Sequence, residues 1–145
     1  MATATLQLYG NYLLNTFKGD IDHDTAVFKA MLCSSSYSPN MDTDDFKNDV
    51  VANEVTGTNW AAGGQTVTIT LSLDAASNEL RFAVSDVSVP TVTLTDGKHV
   101  VIYNSSPGSD ATRHLVGYGT FDTALAPTAG TLALDFATVS YKITY

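Results

Sequence analysis

From Gln65 to Leu73 the chain alternates without a miss: Val67, Ile69, Leu71 and Leu73 lie on one face, threonines and Ser72 on the other. Asp74 to Asn78 (DAASN) is turn chemistry. Glu79 to Val84 then resumes the alternation with Leu80, Phe82 and Val84. This pattern predicts a hairpin with one buried and one wet face. The C-terminal part repeats it, with Leu132, Leu134 and Phe136 in one run and Val139, Tyr141, Ile143 and Tyr145 in the next. The apolar runs Lys98–Tyr103 and Leu115–Phe121 read as central strands, and Ser105–Arg113 between them as a surface loop. Only the beginning departs from period two. Leu6, Tyr9, Leu13, Leu14 and Phe17 fall close to helical spacing, which predicts a short amphipathic helix over 6–17, weakened by Gly10 and stopped by Gly19.

Short strands separated by Gly, Pro, Asn and Asp predict a mainly β protein: a single antiparallel β-sandwich or jelly-roll-like barrel with a short N-terminal helix. A chain of 145 residues is one domain's worth. We assign 1–19 to an N-terminal arm and helix and 20–145 to the sandwich. The lone Cys33 has no disulfide partner and, in the run AVFKAMLC, reads as a small buried hydrophobe.

The formal net charge of −8 argues against a nucleic-acid-binding surface, because that affinity comes largely from Lys and Arg. It equally disfavours docking on an anionic membrane. The first twenty residues lack the charged and apolar regions of a signal peptide, so synthesis and folding in a cytoplasm are expected.

Candidate chemistry centres on Met31–Val50 (MLCSSSYSPNMDTDDFKNDV), where Asp42, Asp44, Asp45 and Asp49 crowd together. An EF-hand loop needs oxygen ligands at positions 1, 3, 5 and 12 and glycine at 6. Counting from Asp42 places Phe46 at 5, Lys47 at 6 and Asn53 at 12; counting from Asp20 places Thr25 at 6 and Met31 at 12. Both fail, which leaves a looser cation site between loops or a structural role. In the structural role, Asp42 or Thr43 caps a helical turn over DDFKND whose buried face is Phe46 and Val50. His23, His99 and His114 show no zinc-ligand spacing. No GxSxG elbow is present, and Gly63-Gly64 reads as a turn and not a phosphate loop. No cofactor is expected, and no catalytic constellation stands out. Tyr103, Tyr118, Tyr141, Tyr145 and Trp60 are read as core, with a sugar- or protein-binding face as the other option.

The stretch Asp20–Gly64, with DIDHDT, VFKAMLCSSSYSPN, MDTDDFKNDV, NEVTG and AAGG in that order, resembles a small β-rich protein encoded among virion genes of tailed bacteriophages. KHVVIYN, HLVGYGTF and LALDFATVSYKITY resemble that family's remaining strands more loosely. The chain departs from the family where Asn59-Trp60 replaces a glycine-tyrosine pair.

The resemblance implies a non-enzymatic structural component of the virion, with no catalytic residue to carry over. The first expectation is a capsid decoration or cement protein that binds the major capsid protein, is itself a homotrimer, and touches neither nucleic acid nor membrane. The competing one is a tail-tip or tail-fibre module that recognises a host receptor or glycan through Tyr and Trp; the third is a host-directed or cell-surface binding protein. Small size, acidity and the lack of shaft heptads favour decoration. Expected partner contacts are Met1, Ala2, Thr3, Ala4 and Thr5 of a free arm able to add a strand to a neighbour's sheet. Tyr37, Pro39, Asn40, Asp42, Asp44 and Asp45 of the acidic stretch, and Arg113, complete the set.

Overall fold

A computed structural model describes residues 1–138 and 140–145. Two short strands come first, β1 (Ala2–Thr3) and β2 (Leu6–Leu8), then helix α1 (Gly10–Lys18). β3 (Phe28–Cys33) leads through a long loop to the single turn α2 (Lys47–Val50), a 3-10 turn (Val51–Asn53) and β4 (Glu54–Val55). The remaining strands are β5 (Gln65–Val67), β6 (Ile69–Asp74), β7 (Glu79–Val84), β8 (Val87–Val92), β9 (Gly97–Asn104), β10 (Leu115–Leu125), β11 (Gly130–Asp135) and β12 (Tyr141–Thr144). The chain is mainly β and antiparallel, a sandwich-like arrangement as expected. Val139 of the predicted C-terminal alternation lies outside the described residues.

The helix is shorter than predicted and does not begin the fold. Leu6–Leu8 is extended because it pairs with Gly117–Gly119 of β10. The glycines permit that approach: a Cβ on Gly119 would stand 2.7 Å from Ala4 Cβ, closer than atoms pack. Gly19 ends α1 in the left-handed region at φ 86° and returns its N–H to Thr16 O.

The central sheet runs β2-β10-β9-β3-β4, with β5 also on β3; two smaller sheets run β1-β11-β8 and β12-β7-β6. One face of the central sheet presents Ala30, Leu32, Val100, Ile102 and Val116. These pack with Ile69, Phe82 and Val84 of one small sheet and Val87, Val92, Leu132 and Leu134 of the other. The opposite face presents Met31, Cys33, Val101, Tyr103, Leu115 and Tyr118, covered by Tyr9, Tyr37 and Val50. A strand buried on both faces reads as a continuous apolar run, which is why VFKAMLC and HVVIY show no alternation. Within the predicted hairpin, cross-strand pairs match Leu71 with Phe82 and Leu73 with Leu80. Its outer end outruns the core, and Leu73 is 66% exposed.

Candidate partner-binding surface

The acidic stretch is the cover over the second face, and two of its four carboxylates, Asp44 and Asp49, point at its own backbone. Asp49 Oδ2 accepts the N–H groups of Asp45 and Phe46, both at 2.9 Å. The helical turn is therefore closed from inside by Asp49, with Phe46 at the N-cap position. This corrects the expected capping by Asp42 or Thr43: they precede the turn by too many residues, while Asp49 sits where a carboxylate reaches back. Val50 is buried as expected; Phe46 is only half-buried and packs against His114 with the rings tilted, their centres 4.9 Å apart.

Asp44 Oδ2 accepts the Tyr37 hydroxyl at 2.8 Å and the Asn40 N–H at 3.0 Å. Because the Tyr37 proton is committed to Asp44, Tyr9 donates to the Tyr37 oxygen at 2.7 Å. Burial pushes the hydroxyls of Tyr9 and Tyr37 well above the usual phenol range, and the Asp44 charge adds to both. Asn11 on α1 donates to Asp45, and the Gly10 N–H to Met41 O at 2.7 Å, so the helix is fastened to this loop. Among the described residues no group of three or more His, Cys, Asp or Glu side chains is placed to hold a metal ion.

The histidines stay apart. His23 Nε2 lies 2.9 Å from the Tyr12 hydroxyl, His99 Nδ1 2.9 Å from Thr120 Oγ1, and His114 Nδ1 3.1 Å from the Asn15 amide. Burial lowers the pKa of both His23 and His99. It raises the Cys33 thiol to about 12, the behaviour of an inert core thiol. Of the aromatic residues named from sequence, Trp60, Tyr103 and Tyr118 are buried and Tyr141 is half-buried, leaving Tyr145 exposed at 65%.

The candidate contacts separate into distinct places. The arm is not free: Ala2–Thr3 pairs in parallel with Leu134–Asp135, and Leu6–Leu8 with β10. The expectation of a free arm is corrected: Ala4 is buried, and β1 and β2 are edge strands, each with a strand neighbour on one side only. Tyr37 is buried and is corrected as a surface contact; Asp44 and Asp45 are half-buried and hydrogen-bonded inward; Asn40 and Asp42 are exposed. Arg113 stands elsewhere, on Asp110 at 2.8 Å. Burial alone would raise the Asp110 carboxyl, and hydrogen bonds from Lys47 and Arg113 outweigh it, holding the group below its usual range.

What the fold does bring together is the arm and Pro39. They border a groove of about 590 Å³ whose walls include Thr3, Thr5, Gln7, Pro39, Tyr118 and Asp122. The Tyr118 hydroxyl donates to Gln7 Oε1 at 2.6 Å across its floor. Gln7 and Asp122 carried no sequence signal, because only the pairing of β2 with β10 sets them beside Thr5 and Pro39.

Fold and surface together define an antiparallel β protein whose acidic signature serves its own packing and whose open groove is polar. No protein-family model matches the chain, and no curated protein or solved structure matches it either.

Proposed function

We propose that the chain is a structural protein of a tailed-bacteriophage particle, acting as a capsid decoration or cement protein. The resemblance of Asp20–Gly64 supports the virion setting. The observation that carries the binding role is the groove, since it joins the two segments nominated independently for contact, Thr3–Thr5 and Pro39. In this reading the groove and the exposed Asn40 and Asp42 receive a segment of the major capsid protein. A homotrimer repeats that contact, and shell stability comes from added buried area between neighbouring capsid subunits, multiplied by copy number. No chemical step is involved, and no cofactor, nucleic acid or membrane takes part.

The test is the copy number per purified particle, by quantitative mass spectrometry against the major shell subunit. A ratio comparable to the shell subunit is the expected result. A few copies would move the protein to the tail, and complete absence would sink every virion reading. Deleting Met1–Thr5 would remove β1 and confound binding with folding, so Thr5→Lys is the cleaner probe of the groove: occupancy falls while thermal stability stays unchanged.

The second reading is a tail-tip or tail-fibre module for a host receptor or glycan. The exposed Tyr145, beside the outrunning apolar end of the β6–β7 hairpin sheet, favours it, since aromatic faces stack on sugars. A Tyr145→Ala variant that loses adsorption to host cells would select this reading over decoration.

A further inference from the structure

Seven basic residues stand against fifteen acidic ones, yet Lys29, Lys47 and Arg113 line one cavity of about 270 Å³, with Gly63, Tyr103 and Ser105. The clustering follows from register. Lys29 on β3 stands opposite Tyr103 on β9, on the face covered by the acidic loop. Lys47 opens α2 above it, its ammonium 5.4 Å from the centre of the Tyr103 ring. Arg113 arrives at the end of the Ser105–Arg113 loop, and its carbonyl accepts the Lys47 N–H at 2.9 Å.

The charges do not balance. Lys47 is only 6% exposed, and its ammonium shares Asp110 with Arg113: Nζ lies 3.2 and 3.3 Å from the two carboxylate oxygens, Arg113 Nη1 2.8 Å from one of them. Arg113 Nε goes to Pro107 O. Among the described residues Lys29 has no carboxylate within ion-pair distance. The other nearby carboxylate, Glu54, accepts the Gly63 N–H. Lys29, Lys47 and Arg113 thus exceed Asp110 and Glu54 by one charge, with donors of Lys29 and Arg113 left over. A buried ammonium normally has its charge compensated, and the surplus donors suit the several oxygens of a tetrahedral anion.

We propose that this cavity binds a small phosphate-class oxyanion, held by Lys29 and Arg113 at its mouth and by the fixed charge of Lys47 within. The proposal does not depend on the virion reading, and it concerns a single anion and not a nucleic-acid backbone. Titration of the full chain with inorganic phosphate at constant ionic strength, followed by amide chemical shifts, is the test. Saturable shifts at Gly63 and Ser105 are expected, with affinity about tenfold weaker in Lys29→Gln and in Arg113→Gln, the loss of one charge-assisted hydrogen bond. The exposed Lys18→Gln serves as control and leaves the affinity unchanged. Lys47→Gln is avoided because Lys47 is buried and its ammonium is bonded to Asp110, so the change threatens folding. Shifts that never saturate, or that persist in both variants, overturn the site. Acetate binding as tightly as phosphate overturns the assignment to phosphate.

Discussion

On one side of the central sheet the side chains meet as hydrocarbon: Leu32, Ile102 and Val116 against Phe82, Val84 and Leu134. On the other side Tyr9, Tyr37, Tyr103 and Tyr118 lie among Met31, Val101 and Leu115, and their hydroxyls reach Tyr37, Asp44, Gly63 O and Gln7 in turn. The difference follows from what covers each side. Strands satisfy their own backbone groups and present alternating apolar side chains, so sheet on sheet closes largely on hydrocarbon, with one polar group where Tyr12 meets His23 and Tyr141. The Ser34–Asn53 cover is largely irregular, and its N–H groups need partners that a ladder does not supply. Asp44 and Asp49 supply them, and the tyrosines give that cover an apolar body with a polar tip.

Alkaline titration draws on both sides at once and should give the largest effect. Burial raises the phenols of Tyr9, Tyr37 and Tyr103 and the Cys33 thiol on the loop-covered side, and those of Tyr12 and Tyr141 on the other. Unfolded, these groups ionise at 10.0 for a phenol and 9.0 for the thiol. Their contribution is whole below those values and is lost as pH rises through them toward the folded values, about 12 for Tyr12, Tyr103 and Cys33. The urea midpoint should therefore collapse above pH 10. A flat alkaline limb would contradict this.

Next in size is Phe82→Ala on the hydrocarbon side. Phe82 is buried and stacks on Tyr141 at 4.5 Å, and truncation should cost about 3–5 kcal/mol in urea unfolding. Tyr37→Phe removes a single oxygen from the other side, yet leaves the Tyr9 hydroxyl buried without its acceptor. It should cost about 1–3 kcal/mol, and the double variant with Tyr9→Phe should cost less than the sum of the two. Asp49→Ala, which frees the Asp45 and Phe46 N–H groups, should cost about 1 kcal/mol. Thr43→Ala should leave stability unchanged, separating the cap that exists from the one expected at Thr43.

The hydrocarbon side was legible in the sequence because alternation is local: Gln65–Leu73, Glu79–Val84 and Leu132–Phe136 announce their faces within a few residues. The runs KHVVIY and LVGYGTF were legible as central strands for the opposite reason, having no wet face to show. The helix over 6–17 failed in its first part because Leu6 and Leu8 are apolar for pairing with β10, a partner more than a hundred residues away, and helical spacing in so short a window is easily mimicked. The acidic stretch was rightly read as structural in kind and wrongly in detail, since Asp42, Asp44 and Asp49 look alike until Tyr37 and the loop backbone choose among them. Neither the groove nor the basic cavity had a local sign: each is assembled from strands whose order a list of strands does not fix.

That same closure of beginning upon end governs how the chain comes to be folded. Ala2 pairs with Leu134 and Leu6 with Gly119, so residues made early find their places only when the last strands exist. β9, needed to complete the sheet on β3, is itself synthesised after both small-sheet hairpin strands β6 and β7. During translation VFKAMLC waits until β9, the strand that completes its sheet, has been made. Such non-local architectures fold slowly, in about milliseconds to seconds once complete, and their waiting strands are the natural clients of a holding chaperone.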